Sequence, residues 1–293
     1  MRIAIVGCGR VGIDCARLLG EAGHQVVGLR RNVNALPDWL QHQRMDVLDK
    51  DSVRVLESLA PDLVIYQVTA SGFNEDAYKA AYVTGVANVV DVIGNLGAHL
   101  LFVSSTGVYH QSDGSWVDED SPVAPTSFNG QLMLEGERLG ATLAGSTAVR
   151  FSGIYGPDRL RLVEQVRASN WSMGETGWTN RIHTTDCARA LCHIAAQLPS
   201  TDTANKAPGV WLASDSEPAR RCDVMAYIAK LTGVPVPPLG ETDSGSSTKT
   251  SGKSSRRAGS KRCSNRKLLN SGFQFNYADF RQGYTEIIAS LDL

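Results

Sequence analysis

The chain opens with MRIAIVGCGRVGIDCARLLGEAGHQVVGLRR, residues 1–31, and this stretch decides the fold. Arg2 to Val6 is an apolar, β-branched run of the kind that forms a fully buried strand. From Val11 to Leu19 the apolar residues recur at helical spacing, and Gly23 follows where a helix C-cap would put it. A second strand is predicted from Gln25 to Leu29. The stretch therefore predicts a strand–helix–strand unit.

The turn between the first strand and the helix reads GCGRVG at residues 7–12, a GxGxxG sequence. In such turns Gly7 permits the tight bend, Gly9 lets the backbone approach a pyrophosphate, and Gly12 lets helix and strand pack closely. The free N–H groups and the dipole of the helix N-terminus favour an anion at this place. We therefore predict a dinucleotide site, whose contacts here are Gly7, Gly9, Arg10, Val11 and Gly12.

The end of the second strand indicates which dinucleotide binds. A carboxylate there would hydrogen-bond the ribose 2′-OH of NAD, whereas arginine accommodates the 2′-phosphate of NADP. This chain has Gly-Leu-Arg30-Arg31 and no acid, and Arg10 could reach the same phosphate. Guanidinium groups match the geometry of phosphate oxygens. The sequence therefore favours NADP, with Arg30 and Arg31 as contacts, and leaves open NAD and a reading of both arginines as solvated loop cations.

Length, composition and charge limit the classes of protein. With 293 residues, the chain is long enough for one large α/β domain or two unequal lobes. Its net charge of −1 gives no overall bias toward nucleic acid or membranes, and no apolar run has the length of a membrane span. The six cysteines are scattered without a CxxC pair, which favours a reduced, cytoplasmic compartment. No His, Cys, Asp and Glu residues have metal-ligand spacing, so we expect no metal.

Strand and helix patterns continue to alternate along the chain. Asp51 is the expected N-cap of the helix predicted at 51–59. Strands are predicted at 62–66, 99–103 and 147–151, and helices at 51–59, 74–87, 130–143 and, last, 280–291. Alternation of this kind predicts an α/β fold, a doubly wound parallel sheet that binds ligands at the carboxyl ends of its strands.

Four further stretches are loose motifs when taken singly, but in this order and spacing they are specific for a protein family. They are Asp46 to Asp49, FVSSTGVY at 102–109, RFSGIYGP at 150–157, and Asn180 to His183 followed by Asp186. With the glycine turn, they resemble the extended short-chain dehydrogenase/reductases, also called the NAD-dependent epimerase/dehydratase family. The resemblance covers residues 1 to about 215. It implies a Rossmann domain at 1–157 and 179–216, and a smaller C-terminal substrate lobe at 158–178 and 217–293.

The resemblance also implies roles for individual residues. Ser105 falls at the family's Ser/Thr position, where it would hydrogen-bond the reacting oxygen. Further cofactor contacts are implied at Asp46, Val47 and Ser104. Substrate contacts are implied at Thr106, Asn180 and Arg181. His183 is interpreted as structural, bonded to backbone or to Asp186.

The family's acid/base pair is missing from this chain. Related enzymes use Tyr and Lys, spaced YxxxK on the next helix, to move a proton near neutral pH while a hydride moves to or from nicotinamide. Here Ser127 stands at the Tyr position and Gln131 at the Lys position, and a shift by one residue gives Phe128 and Leu132. The chain therefore resembles an atypical branch that lacks the YxxxK dyad.

Four other side chains of the chain have groups that could move a proton in place of the Tyr–Lys pair. Glu135 and Glu137 could act as an acid or base, or be exposed helical carboxylates. Tyr109 and Tyr155 could donate a phenol, but the resemblance makes both of them packing residues.

The C-terminal part carries an unbalanced positive charge. Residues 239–260 are rich in Gly, Ser and Thr with interspersed Lys and Arg, which predicts a flexible basic loop, and no acid occurs between Ser244 and Ala278. Such a run could attract a phosphorylated substrate or nucleic acid, or be merely solvated. Nucleic acid is disfavoured because no aromatic residue interleaves with the run before Phe273. Family analogues place a tail arginine against a nucleotide-sugar diphosphate, which suggests Arg262 and Arg266.

Two functional hypotheses follow from these features. The first is an NAD(P)-binding oxidoreductase or epimerase-like enzyme that acts on a polar, nucleotide-sugar-like or phosphorylated small molecule. The second, motivated by Ser127 and Gln131, is a non-catalytic NADP(H)-binding sensor or scaffold. Neither hypothesis requires a membrane, and a homodimer is left open.

Overall fold

A computed structural model describes residues 1–198, 209–238 and 260–291. The predicted basic loop at 239–260 lies outside the described residues except for Ser260. The strands are β1 Arg2–Val6, β2 Gln25–Arg30, β3 His42–Arg44, β4 Leu63–Tyr66, β5 His99–Ser105, β6 Trp116–Val117, β7 Thr147–Phe151, β8 Gly153–Tyr155, β9 Trp178–Thr179, β10 Arg181–His183, β11 Gly209–Ala213, β12 Ala219–Arg220 and β13 Arg262–Cys263. The α-helices are α1 Arg10–Glu21, α2 Lys50–Val53, α3 Val55–Leu59, α4 Glu75–Lys79, α5 Gly85–Gly94, α6 Phe128–Gly140, α7 Arg161–Arg167, α8 Thr184–Ala196, α9 Arg221–Thr232, α10 Arg266–Asn270 and α11 Phe280–Ala289.

Seven strands form one parallel sheet in the order β11-β7-β5-β4-β1-β2-β3. The strand order reverses at β1: the chain runs outward to β2 and β3, then returns to β4 on the other side. Val6 pairs with Leu29 of β2 and with Tyr66 of β4. A crevice opens above the carboxyl ends of β1 and β4 at such a switch point. The doubly wound α/β fold predicted from the sequence is confirmed.

Both faces of the sheet are buried under helices. Along β1, Ala4 and Val6 belong to one apolar cluster, and Ile3 and Ile5 belong to the other. This explains the uninterrupted apolar composition of the strand, because neither face meets water. Burying each of its larger side chains contributes about 1.5–3 kcal/mol.

A third apolar cluster joins α7, α9 and α11. Val166, Ile228 and Phe280 are examples of its fully buried members, one from each helix. The helices come from the stretches 158–178 and 217–293, which the sequence assigned to a smaller lobe. A role of this cluster in substrate binding stays a prediction.

Two predicted helices differ from those observed. The N-cap of α2 is Asp49, whose Oδ1 accepts hydrogen bonds from the N–H groups of Asp51 (3.0 Å) and Ser52 (3.3 Å), so Asp51 as N-cap is wrong. The helix predicted at 74–87 is α4 followed by a π turn, Ala80–Thr84, and by α5. The buried hydroxyl of Tyr66 donates to the carbonyl of Ala81 inside that turn (2.5 Å), an insertion of the kind that distorts a helical ladder.

Candidate functional site

A cavity of about 290 Å³ lies in the crevice above β1 and β4. Six residues predicted from the sequence line it: Gly7, Gly9, Arg30, Arg31, Asp46 and Val47. Other residues, not predicted from the sequence, line it as well: Val6, Cys8, Asn32, Met45, Leu48, Val68, Thr69, Ser71, Ala77, Ala80 and Ala81. The segment after β4 could have been found, because ligands bind beyond the carboxyl ends of the strands on either side of a switch point.

The glycine turn leaves space for a ligand. Gly7 has φ +80°, and a Cβ there would lie 2.7 Å from the backbone N and Cα of Val68, so only glycine fits. Around Gly9 the nearest atom to such a Cβ is 3.9 Å away. No side chain caps the N-terminus of α1, so its first N–H groups are available to an anion. These features fit a pyrophosphate. Val11 and Gly12 lie in the first turn of α1, and Gly12 packs against Gln67.

Two arginines line the cavity at the carboxyl end of β2. Arg30 is half-buried, and its Nη1 donates to the carbonyl of Cys8 (3.1 Å), while Arg31 is exposed. Asp46 lies on the same wall, where its Oδ1 accepts the N–H of Leu48 (3.1 Å). The cavity therefore presents two cations and one carboxylate. Arg10 does not line it, because its guanidinium pairs with Asp14 (3.3 Å) and Asp158 (3.6 Å).

Ser105 lies at the carboxyl end of β5, next to the segment after β4. Tyr66 at the end of β4 pairs with Phe102, and β5 continues for three residues beyond this pair to Ser105, which pairs with Phe151 of β7 and does not itself line the cavity. The half-buried Oγ of Ser105 accepts the N–H of Gly107 (3.0 Å). Ser104 faces the other side of the strand and is buried, and its hydroxyl donates to Glu137 (2.5 Å). The structure therefore directs Ser104 into the interior rather than to the cavity.

Glu137 belongs to a buried polar network. Its carboxylate pairs with Arg150 (2.7 Å), whose Nη1 donates to Tyr109 Oη (3.0 Å). Tyr109 in turn donates to the carbonyl of Asp118 (2.6 Å). The carboxylate raises the pKa of Arg150, and burial raises the pKa of Tyr109 to about 12. Neither Glu137 nor Tyr109 is therefore free to exchange a proton with a substrate, and Glu135 is exposed.

The two residues at the positions of the missing dyad lie on α6. Ser127 is its half-buried N-cap residue, and Gln131 is exposed in the first turn. The backbone at Gly130 lies against the turn after β5, since a Cβ there would stand 2.6 Å from the carbonyl of Gly107. Neither a hydroxyl nor an amide titrates near neutral pH. The start of α6 thus lies close to Ser105 but supplies no acid or base through Ser127 or Gln131.

Three residues that the sequence predicted as substrate contacts lie in the segment 260–264 or against it. The amide of Asn180 donates to the carbonyl of Lys261 (2.9 Å) and accepts the N–H of Cys263 (2.7 Å). Thr106 is buried, with its side chain next to the Cys263 thiol. Arg262 lies between the rings of Trp116 and Trp178, 5.0 and 5.2 Å from their centroids. The tail is thus held against the turn after β5.

The two remaining arginines lie apart from each other. Arg181 is buried, donates to Thr179 Oγ1 (2.5 Å) and stacks over Phe280 (5.3 Å). Its Nη1 is buried without a hydrogen-bond partner among the described residues. Arg266 is exposed, in a groove that it shares with Asp118 and Lys267. The structure therefore does not bring Arg266 to the cavity.

His183 has a structural role in this arrangement. Its Nδ1 accepts the N–H of Thr185 (3.3 Å) at the start of α8, and the tilted ring of Tyr277 lies against its ring, with the centroids 4.0 Å apart. Asp186 is not its partner, because that carboxylate accepts the N–H groups of Asn276 and Tyr277. Within the described ranges, no three metal-ligating side chains are grouped to hold an ion, and no helix there is long and apolar enough to cross a membrane.

One protein family matches the chain over its full length. Residues 1–293 match the family described as RmlD substrate binding domain. The chain belongs to this family. The resemblance to extended short-chain dehydrogenase/reductases is thereby confirmed. No curated protein matches the chain.

Solved structures share the fold along the whole chain. A putative NAD-dependent epimerase/dehydratase from Methylobacillus flagellatus is 33% identical, over 99% of this chain and 98% of that one, with a TM-score of 0.79. MoeE5 in complex with UDP-glucuronic acid and NAD is 21% identical (98% and 97% covered, TM-score 0.76). UDP-glucose 4-epimerase of Thermus thermophilus, in complex with NAD, is 18% identical (99% and 98%, TM-score 0.75).

Proposed function

We propose that this protein is an NAD(P)-dependent oxidoreductase or epimerase-like enzyme that acts on a polar, nucleotide-sugar-like or phosphorylated small molecule. The observation that carries the proposal is the open glycine turn at Gly9 in the crevice above β1 and β4, at the same edge of the sheet as the carboxyl end of β5, where Ser105 lies. A bound nicotinamide dinucleotide supplies or accepts a hydride. The structural neighbours MoeE5 and UDP-glucose 4-epimerase, which bind NAD, support this proposal, as does the UDP-glucuronic acid bound to MoeE5.

Each part of the site has a distinct task in this proposal. Gly7, Gly9 and the N-terminus of α1 hold the pyrophosphate, and Asp46, Val47 and the alanines after β4 enclose the adenosine. Ser105 donates a hydrogen bond to the reacting oxygen of the substrate. The lobe formed by 158–178 and 217–293 supplies the substrate contacts.

We assign NADP as the preferred dinucleotide. Arg30 and Arg31 line the cavity where the 2′-phosphate would lie, and hydrogen bonds to charged groups contribute about 1.5–3 kcal/mol each. Loss of one such pairing corresponds to a roughly 10- to 150-fold change in affinity, so the double variant Arg30→Ala with Arg31→Ala should weaken NADP binding by at least this factor and NAD binding much less. Arg44→Ala, an exposed arginine on β3, is the matched control. Calorimetry in which the double variant binds both dinucleotides as the parent does would refute the assignment.

Turnover is tested with UDP-glucose, UDP-glucuronic acid, UDP-N-acetylglucosamine and small carbonyl compounds, each with NADP(H) and NAD(H). Products are separated by chromatography, because an epimerisation leaves the nicotinamide absorbance unchanged. Ser105→Ala should lose most of the rate, whereas Ser112→Ala, an exposed loop serine, should keep it. Absence of turnover with every compound class would contradict the enzymatic proposal.

A second candidate function is that of a dinucleotide sensor or scaffold without turnover. Ser127 and Gln131, at the positions of the acid/base pair, favour it. A sensor must bind NADP and NADPH with different affinity, since equal affinities shift no equilibrium. Equal calorimetric affinities, with no partner captured in either state, would refute the sensor.

A further inference from the structure

Two cysteines that are 177 residues apart in the sequence meet between α1 and α8. The two helices pack against each other, and the Sγ atom of Cys15 lies 3.5 Å from the Sγ atom of Cys192. The Cys192 thiol also donates to the carbonyl of Cys15 (3.6 Å). Among the cysteines that the structure describes, these two are the only thiols within hydrogen-bonding distance of each other.

The packing of the two helices suits a covalent link between these sulfur atoms. A disulfide bond is about 2.05 Å long, so the two sulfur atoms need to approach by about 1.5 Å. Small side chains from both helices, among them Ala16 and Ala188, are buried in the same apolar cluster as Cys15. The distance between packed helices depends on the side chains at the contact, and small ones let the backbones come close. The cross-link therefore requires only a local adjustment of the helices.

The two thiols differ in their access to solvent. Cys15 has 0% exposure, whereas Cys192 is half-buried and lines an open cavity of about 310 Å³ together with Arg189 and His193. A small oxidant can reach Cys192 through this cavity. The hydrogen bond to Cys192 and burial raise the pKa of the Cys15 thiol. Cys192 is therefore the thiol that reacts first, and Cys15 is the thiol that completes the bond.

We propose that Cys15 and Cys192 are a redox pair that hydrogen peroxide closes into a reversible disulfide between α1 and α8. The inference does not depend on the proposed function. The deprotonated sulfur of Cys192 attacks one peroxide oxygen, the O–O bond breaks, and the departing hydroxide takes the thiol proton and leaves as water. The Cys15 sulfur then attacks the sulfenic acid, the S–S bond forms, the S–O bond breaks, and a second water leaves with the Cys15 proton. The two thiols lose two electrons to the peroxide, and a dithiol returns them by exchange.

The first test uses the full, unaltered chain. The protein is treated with hydrogen peroxide, its remaining thiols are alkylated, and the tryptic peptides are identified by mass spectrometry without reduction. Trypsin cuts after Arg10, Arg17 and Arg189, which puts Cys8, Cys15, Cys187 and Cys192 on four different peptides. We expect the peptides of Cys15 and Cys192 to be linked, and the link to disappear with dithiothreitol. Absence of the link, or a disulfide that contains Cys8 or Cys187 instead, would overturn the inference.

The second test examines the order of the two steps. Cys15→Ser should leave Cys192 as a sulfenic acid that dimedone labels, whereas Cys192→Ser should leave Cys15 unlabelled. Cys222→Ser, on α9, is the matched control and should form the same disulfide as the parent. Equal labelling of Cys15 and Cys192 in the two variants would overturn the assignment of Cys192 as the thiol that reacts first.

The third test asks whether the bond fits the folded chain. A cross-link between distant residues restricts the unfolded chain, so it stabilises a fold whose geometry accepts it. Peroxide should therefore raise the urea midpoint of the parent relative to that of Cys15→Ser, and dithiothreitol should reverse the rise. A fall of the parent midpoint relative to Cys15→Ser would mean that the bond forms only in a distorted chain, and would overturn the inference.

Discussion

Replacing Glu137 by glutamine tests whether the buried network around Glu137 and Arg150 stabilises the fold. Glu137 is 9% exposed and Arg150 is 4% exposed, and their closest contact is 2.7 Å. Glutamine keeps an acceptor for the Ser104 hydroxyl, so the change removes mainly the negative charge. The Arg150 guanidinium then stays buried without its counter-charge, and breaking a buried pair in this way costs about 3–5 kcal/mol.

The assay is urea unfolding followed by tryptophan fluorescence. Glu135→Gln is the matched control, because Glu135 lies two residues earlier on α6 and is exposed. Surface changes of this kind alter stability by no more than about 0.5 kcal/mol. We expect the free energy of unfolding to fall by about 3–5 kcal/mol in Glu137→Gln and to stay near the parent value in Glu135→Gln.

The same pair of variants separates a structural role from a catalytic one. The folded fraction of Glu137→Gln should bind dinucleotide as the parent does, since Glu137 does not line the cavity. Equal stabilities of the two variants would refute the buried-pair reasoning. A Glu137→Gln protein of parental stability that has lost turnover would instead identify Glu137 as an acid or base.

Three further predictions concern the glycine turn, the buried carboxyl group of Asp215 and the role of Ser105 in the reaction. Gly7→Ala should cost about 1–3 kcal/mol in urea unfolding, because of its positive φ and the contact with Val68, whereas Gly9→Ala should unfold as the parent does yet bind dinucleotide more weakly by calorimetry. Equal stabilities of these variants would contradict this. Burial raises the pKa of Asp215 to about 8, above the unfolded value of about 3.9, so the native state holds an extra proton between these values and stability should fall as the pH rises through this window. Asp215→Asn should remove that slope in thermal unfolding, and an unchanged slope would refute the assignment to Asp215. Ser105→Ala should lower kcat with little change in NADPH affinity, and loss of affinity instead would mean that Ser105 contacts the cofactor.

The amino-acid sequence alone determined the elements whose signals are local. β1 and β7 occur with the bounds predicted. Both are apolar, β-branched runs, which are typical of strands that are buried on both faces. Gly23 has φ +85° just beyond α1, as its place after the last periodic residue indicated. The glycine turn and the alternation of strands with helices were enough to predict the doubly wound parallel sheet.

Only the tertiary structure decided which distant segments meet at that crevice. The π turn that brings Ala80 and Ala81 to the cavity depends on the Tyr66 hydroxyl of another strand, which no helical periodicity reports. The burial of Lys261 accompanies long-range hydrogen bonds of its segment, from the side chain of Asn180 to the carbonyl of Lys261 and between the backbones of Gly114 and Ser260. In the sequence this lysine is one cation in a basic run. Local sequence patterns predict the element to which each residue belongs, but long-range pairing decides which elements surround that residue.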